Sequence, residues 1–259
     1  YNLLTGGIPM QFQQQTSFSK FLNQDMTYRI YGHSGKPCLV FPSQDGHYYD
    51  FENFQMTDVA EDYLNNGTLQ LFCVDSIDSE TWSNRNGNPR SRIERHEQWY
   101  RYITEELLDE IHQINGSEQK LMVTGCSMGG AHSTNFFLRR PDLFDTLLSL
   151  SGIFSAGFFF GSYMDDLVYL NSPIDYMRNF PKKHPYYELY ASSRMIFCVG
   201  QGDWEEDMLK STHELQAVFE DKGIHAWFDY WGHDVSHDWP WWRIQFGYFL
   251  GQIFGDPQK

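Results

Sequence analysis

Short apolar runs alternate along this chain with longer segments of helical periodicity. The runs predict strands at residues 27–31, 38–41, 69–74, 121–124, 146–150, 195–199 and 226–230. Several of them are apolar on both faces, which is typical of a parallel sheet covered by helices on each side. Helical patterns fill intervals between the runs at residues 92–114, 131–139, 205–222 and 239–254. The alternation therefore predicts an α/β fold with a mostly parallel central sheet flanked by helices.

The net charge limits the expected binding partners, and the length limits the number of domains. The 259 residues include 19 basic and 34 acidic side chains, which gives a net charge of −15. Binding to nucleic acid or to an anionic membrane surface needs a basic face, so neither partner is expected. The length suits one large domain, and no Pro- or Ser-rich linker interrupts the pattern, so we expect a single domain over residues 1–259.

The cysteines and the opening segment indicate the compartment. Cys38, Cys73, Cys126 and Cys198 each lie in or beside an apolar run, which predicts buried, unpaired thiols. The first residues show neither a basic region nor a long apolar stretch, so they do not have the pattern of a signal peptide. Both features favour a cytoplasmic location.

The sharpest motif is Gly125-Cys126-Ser127-Met128-Gly129, which lies directly between a predicted strand and a predicted helix. In that context a G-x-S-x-G sequence forms a sharp elbow that exposes the serine hydroxyl at a helix N-terminus. The hydroxyl of Ser127 is then a candidate nucleophile. The backbone N–H of Met128 would point at the negative oxygen that forms during attack on a carbonyl.

A serine nucleophile needs a histidine base, and the base needs a carboxylate to orient it. In this arrangement the acid and then the histidine follow the serine along the chain. His233 and His237 both lie between the last predicted strand and the last helix, and His237 is favoured because it stands at the mouth of that helix. The segment after strand 195–199 holds four carboxylates, and spacing alone does not choose among them: Asp203, Glu205, Glu206 and Asp207.

The chain resembles the putative esterase (esterase D-like) family of α/β-hydrolases in three segments. These are the motif around Ser127, the acidic segment after Gly200-Gln201-Gly202, and His237-Asp238-Trp239 before the last helix. That family includes S-formylglutathione hydrolases, feruloyl esterases and the antigen 85 mycolyltransferases. The resemblance covers residues from about 27 to 254. It implies an α/β-hydrolase fold and a serine carboxylic ester hydrolase acting through an acyl-enzyme on a small-molecule ester. Two alternatives stay open: acyl transfer to an alcohol or sugar, and a non-catalytic module that binds carbohydrate or protein.

The resemblance also assigns the remaining site residues. The mycolyltransferase-like pattern places the acid at Glu206, which is favoured, and the feruloyl-esterase-like pattern places it at Asp203. A second oxyanion N–H comes from the loop after strand 38–41, where Pro42 has no N–H to offer. Ser43 and Gln44 remain, and Gln44 is favoured.

Two segments between the predicted elements lead to further expectations. The polar, turn-rich stretch 76–89 predicts a surface loop. α/β-Hydrolases commonly carry a substrate-shaping insertion before the strand that precedes the acid, so a small cap is expected around residues 153–190. Its apolar segment 154–163 could form a wall for an acyl or aryl group.

Neither a cofactor nor a metal ion is predicted. No glycine-rich nucleotide-binding pattern occurs in the chain. His233-Asp234-Val235-Ser236-His237 superficially resembles a zinc-binding H-E-x-x-H motif, but that motif requires one continuous helix. Gly232 and Pro240 flank the segment and favour a loop. The sequence does not predict an oligomeric state.

Overall fold

The computed structural model describes residues 12–257, and they form an eight-stranded sheet. The strands are β1 (Phe12–Ser19), β2 (Gln24–Tyr31), β3 (Lys36–Phe41), β4 (Leu69–Val74), β5 (Leu121–Cys126), β6 (Phe144–Leu150), β7 (Arg194–Val199) and β8 (Trp227–Tyr230). Their order across the sheet is β1-β2-β4-β3-β5-β6-β7-β8. The pairs β1–β2 and β2–β4 are antiparallel, and every other pair is parallel. The mostly parallel sheet predicted from the sequence is confirmed.

All seven predicted strands are present, with small shifts at their ends, but β1 was missed. Seven of its eight residues are exposed or half-buried, and only Ser19 is buried. Phe12 and Phe18 stand among glutamines, serines and threonine, so the segment shows no buried apolar face. Sequence periodicity detects a strand through its buried face, and this edge strand does not have one.

The four predicted helical segments are present, with shifts at their ends and one interruption, and the described residues also form seven short α-helices that were not predicted. The α-helices in chain order are α1 (Asp50–Asn53), α2 (Met56–Val59), α3 (Glu61–Asn65), α4 (Pro89–Tyr102), α5 (Leu108–Asn115), α6 (Met128–Arg139), α7 (Gly157–Phe160), α8 (Asp166–Leu170), α9 (Pro173–Arg178), α10 (Tyr186–Ala191), α11 (Glu206–Lys222) and α12 (Trp239–Phe254). A π-helical segment, Ile103–Leu107, joins α4 to α5 within the single helix predicted there. None of the helices described is long and apolar enough to cross a membrane.

The sheet has a hydrophobic core on each face. One core contains Trp99 of α4, Ile111 of α5, Phe136 of α6 and Leu215 of α11. The other contains residues of α1, α2, α3 and α12, with Phe246 among them. Successive strand side chains point to opposite faces, so strands covered on both sides are apolar at most positions.

The four cysteines are buried and unpaired, as predicted. Burial raises the pKa of the thiol in each of them: Cys38, Cys73, Cys126 and Cys198. A thiol with a raised pKa stays protonated and is a poor nucleophile. Cys126, although adjacent to Ser127, is therefore a packing residue.

The predictions for residues 153–190 and for residues 76–89 compare differently with the structure. The predicted insertion between β6 and β7 exists and contains α7, α8, α9 and α10. The prediction of a surface loop at 76–89 is wrong for part of the stretch, because Asp78 and Trp82 are buried. Asp78 binds His132 on α6, and Trp82 donates a hydrogen bond to His96 on α4.

Candidate active site

Ser127 stands in a strained elbow between β5 and α6. Its φ is +58° and its ψ is −121°, a conformation that non-glycine residues rarely adopt. The turn is tight enough to require glycine on each side. A Cβ on Gly125 would lie 2.5 Å from the carbonyl carbon of Gly129, and one on Gly129 would lie 2.3 Å from the carbonyl oxygen of Phe41. The glycines of the motif therefore let the backbones of β3, β5 and α6 meet at the serine.

The structure brings Ser127 and His237 together, as the sequence predicted. The Nε2 atom of His237 lies 2.9 Å from the hydroxyl oxygen of Ser127, although 110 residues separate the two in the chain. The other ring nitrogen, Nδ1, lies 3.1 Å from a carboxylate oxygen of Glu205. The alternative histidine, His233, is exposed and does not bond to either group. The three side chains are arranged so that the Ser127 proton can pass to His237 while Glu205 orients the ring.

The carboxylate beside His237 corrects the sequence-based assignment. Glu206, the favoured candidate, and Asp203, its alternative, both have exposed side chains. Glu205 is fully buried. Trp204 adopts a left-handed conformation (φ +68°) just before it, and Glu205 ends the loop before α11. The turn directs Glu205 inward and leaves Glu206 in the solvent-facing first turn of the helix.

Asp203 does take part in the site, but through its backbone. Its carbonyl oxygen accepts a hydrogen bond from the backbone N–H of His237 at 2.9 Å. The loop between β7 and α11 thus positions the histidine twice, once by a main-chain bond and once by the Glu205 side chain. Sequence reasoning found the right loop and missed the residue because a single left-handed residue determines which carboxylate turns inward.

The Glu205 carboxylate is hydrogen-bonded on both oxygens. One oxygen accepts from the Ser151 hydroxyl at 2.6 Å and from the backbone N–H of Gly200 at 3.3 Å, and the other faces His237. Ser151 in turn accepts a bond from the indole N–H of Trp242 at 3.1 Å. The Trp242 ring also packs edge-on against His237. A buried polar group is costly unless its hydrogen bonds are made, and these partners satisfy the Glu205 oxygens and fix the carboxylate towards the imidazole.

The two predicted oxyanion donors lie at the same cleft as the serine. Met128 begins α6, and Gln44 follows β3; both line the cleft together with Ser127 and His237. The Ser43 hydroxyl donates to the carbonyl of Cys126 at 3.1 Å, which fixes the β3 loop against the elbow. Within residues 12–257 the backbone N–H groups of Gln44 and Met128 have no acceptor. Their role in binding an oxyanion remains a prediction.

The cleft beside Ser127 and His237 is small and partly apolar. Its volume is about 160 Å³, and its lining residues are Gln44, Ser127, Met128, Ser151, Ile153, Phe158, Phe159, Met208 and His237. Ile153, Phe158 and Phe159 come from the start of the insertion, as the sequence suggested for residues 154–163. Binding sites for whole ligands usually have volumes of about 300–1,000 Å³, so this cleft is smaller than a typical whole-ligand site.

Solved structures with the same fold include esterases and hydrolases. A ferulic acid esterase matches with a TM-score of 0.74 at 17% identity, over 95% of this chain and 100% of that one. An S-formylglutathione hydrolase from Agrobacterium tumefaciens matches with a TM-score of 0.71 at 15% identity, over 98% and 97% of the two chains. MPT51 from Mycobacterium tuberculosis matches with a TM-score of 0.71 at 12% identity, over 96% and 99%. At identities this low, the structural matches show a shared fold alone.

The sequence itself places the chain in a family. No curated protein matches it by sequence. Residues 19–252 match the family described as "Putative esterase", which covers most of the chain and all the side chains of the Ser127–His237–Glu205 arrangement. The chain therefore belongs to the putative esterase family and is a serine ester hydrolase with the α/β-hydrolase fold.

Proposed function

We propose that the chain hydrolyses carboxylic esters of small molecules through a covalent acyl-enzyme on Ser127. The observation that supports this is the continuous hydrogen-bonded line from the Ser127 hydroxyl through His237 to the buried Glu205 carboxylate. A serine hydroxyl alone is a weak nucleophile at neutral pH, and this line supplies the base that activates it.

In the first half of the reaction the Ser127 oxygen attacks the ester carbonyl carbon. Nε2 of His237 takes the hydroxyl proton, and Glu205 stabilises the imidazolium that results. The negative charge that develops on the carbonyl oxygen is bound by the backbone N–H groups of Met128 and Gln44. Met128 stands at the N-terminus of α6, where the helix dipole also favours negative charge.

The first half ends when this intermediate collapses: the bond to the alcohol oxygen breaks, and the alcohol leaves with the proton from His237. The acyl group is then bonded to the Ser127 oxygen, and the second half begins. A water molecule, deprotonated by His237, attacks the same carbonyl carbon and releases the acid. The serine recovers its proton, so the enzyme returns to its starting state.

The first experiment is hydrolysis of p-nitrophenyl esters from acetate to laurate, with a ferulate ester, by the wild type and by Ser127→Ala. The variant should lose about 10⁴- to 10⁶-fold in kcat, because the nucleophile is removed while binding groups remain. A fluorophosphonate probe should label the wild type and not the variant. Full activity in Ser127→Ala would contradict the proposal.

The same assay separates the two alternative functions. Acyl transfer proceeds through the same acyl-enzyme, so an added acceptor alcohol would yield a new ester product in place of the free acid. A wild type that neither turns over any ester nor reacts with the fluorophosphonate would instead favour a binding module on this fold.

A further inference from the structure

Arg85 differs from every other arginine of the chain. The sequence contains eleven arginines, all within residues 12–257. Ten of them donate hydrogen bonds to carboxylate, amide or carbonyl oxygens: Arg29, Arg90, Arg92, Arg95, Arg101, Arg139, Arg140, Arg178, Arg194 and Arg243. The Arg85 guanidinium donates to no oxygen in the described part of the chain, although its backbone N–H donates to the carbonyl of Ser83 at 2.8 Å. Although the chain has a net charge of −15, no carboxylate within residues 12–257 pairs with this guanidinium.

Arg85 lies against two aromatic rings that line the candidate active site. Its guanidinium carbon is 5.1 Å from the ring centre of Phe158 and 5.4 Å from that of Phe159. Both rings line the cleft that contains Ser127. The loop that carries Arg85 also reaches the cleft through Ser83, whose hydroxyl accepts from the side-chain amide of Gln44 at 3.0 Å. The guanidinium is therefore held against the same aromatic residues that a substrate would contact.

The aromatic contact does not by itself account for the missing partner. Arg29, Arg92, Arg101 and Arg139 also lie over aromatic rings, at 3.6 to 4.2 Å from a ring centre. Each of these four also donates to an oxygen acceptor. Arg85 alone combines a ring contact with five unused donors in a fork that matches a carboxylate.

We propose that Arg85 binds an anionic group, chiefly a carboxylate, carried by the ester substrate when its reacting carbonyl lies at Ser127. This inference rests on the proposed function. The acidic protein repels an anionic ester as a whole, so recognition of one requires a local cation near the cleft. The bound carboxylate would face the guanidinium beside the Phe158 and Phe159 rings, outside the small space that holds the reacting carbonyl. The substrate class is an ester that bears a second, ionised acid group.

The test compares charged and neutral esters in matched pairs. In one arm the carboxylate is on the acyl side: p-nitrophenyl monoesters of adipic and longer dicarboxylic acids, each against the neutral ester of equal length. In the other arm it is on the leaving group: butyrate esters of 4-hydroxybenzoate and of its methyl ester. Each is assayed with the wild type, Arg85→Gln and Arg101→Gln. Arg101 is the control because it is also an exposed arginine over a phenylalanine, but it pairs with Glu105 and does not line the cleft.

In Arg85→Gln we expect kcat/KM for the charged ester of at least one arm to fall about tenfold or more, mainly through a higher KM. The neutral esters should change by less than about twofold, and Arg101→Gln should leave both classes unchanged. The arm that responds identifies which side of the ester carries the carboxylate. Equal effects of Arg85→Gln on charged and neutral esters in both arms would overturn the inference. Loss of the proposed function would appear separately, as no turnover of neutral esters by the wild type.

Discussion

Within residues 12–257 two histidines bond to a buried carboxylate, and the two pairs differ in what lies on the far side of the imidazole. His237 bonds to Glu205 at 3.1 Å, and His132 bonds to Asp78 at 2.9 Å. The carboxylates are equally buried, at 1% and 2% side-chain exposure. The histidines differ, because the His237 side chain is 16% exposed and that of His132 is 2% exposed.

What surrounds the two imidazoles explains the difference. The second nitrogen of His237 faces the Ser127 hydroxyl at the cleft. His132 is enclosed by the rings of Phe41, Trp82, His96 and Trp99. A hydrogen-bonded histidine–acid pair is therefore common to both regions, and an accessible nucleophile on the far side of the ring is what makes a relay. The same local pair is enclosed by packing at α6 and lies beside a serine hydroxyl at the cleft.

Glu205→Gln tests the catalytic pair and should have the largest effect. The amide can still bond to Ser151 but cannot stabilise an imidazolium, so kcat should fall about 10⁴-fold in p-nitrophenyl ester hydrolysis. Glu206→Gln is the matched control and should remain within about twofold of the wild type, because its side chain faces solvent. A larger loss in Glu206→Gln than in Glu205→Gln would contradict the assignment.

Asp78→Ala tests the other pair and should affect stability. His132 would lose its partner while remaining buried, and the free energy of unfolding should fall by about 1–3 kcal/mol in urea denaturation. The kcat of the folded variant should stay within about threefold of the wild type. Asp78→Asn, which keeps an acceptor for His132, should lose less stability. A drop in kcat comparable to that of Glu205→Gln would mean that the two pairs share one function.

The free energy of unfolding should depend on pH through His96, whose ring stacks against that of His132. Burial, with the nearby His132 and Arg139, lowers the pKa of His96 well below its usual value. Its Nδ1 accepts from Trp82 and its Nε2 bonds to Asn171, so the ring is held neutral. Below about pH 6.5 the unfolded chain binds a proton here that the native protein does not, which removes up to about 1.4 kcal/mol of stability per pH unit.

His96→Gln, which can still accept from Trp82, is the variant that checks this effect. Unfolding free energies measured from pH 7 to pH 5 should decrease less steeply in the variant than in the wild type, by about 2 kcal/mol over that interval. Identical slopes for the two proteins would show that His96 does not titrate on unfolding.

Ser151→Ala tests how the Glu205 carboxylate is held, and of these substitutions it should have the smallest effect. It removes one hydrogen bond to the Glu205 carboxylate, so kcat should fall about three- to tenfold. Ser133→Ala is a suitable control, because Ser133 is also buried but bonds only within its own helix, to Gly129. Equal effects of the two substitutions on kcat would argue against a role for Ser151 in holding Glu205.

The sequence predicted the parallel sheet, the elbow at Ser127 and the loop that carries His237, because each depends on local patterns of apolar spacing or glycine. It did not predict β1, whose side chains have no buried face, or the burial of Asp78 within a polar stretch. Glu205 was missed for a different reason. The choice between adjacent carboxylates depends on the left-handed turn at Trp204, a residue type that gives no signal of such a conformation.

The separation of Ser127 from His237 along the chain has a consequence for protein synthesis. On the ribosome the serine elbow can form when β3, β5 and β6 have emerged, while the base, its acid and the tryptophan behind them are still to come. During that interval the chain exposes a nucleophile that nothing activates. The proposed relay can therefore assemble only after Glu205 and His237 have been synthesised and α12 has packed against the sheet.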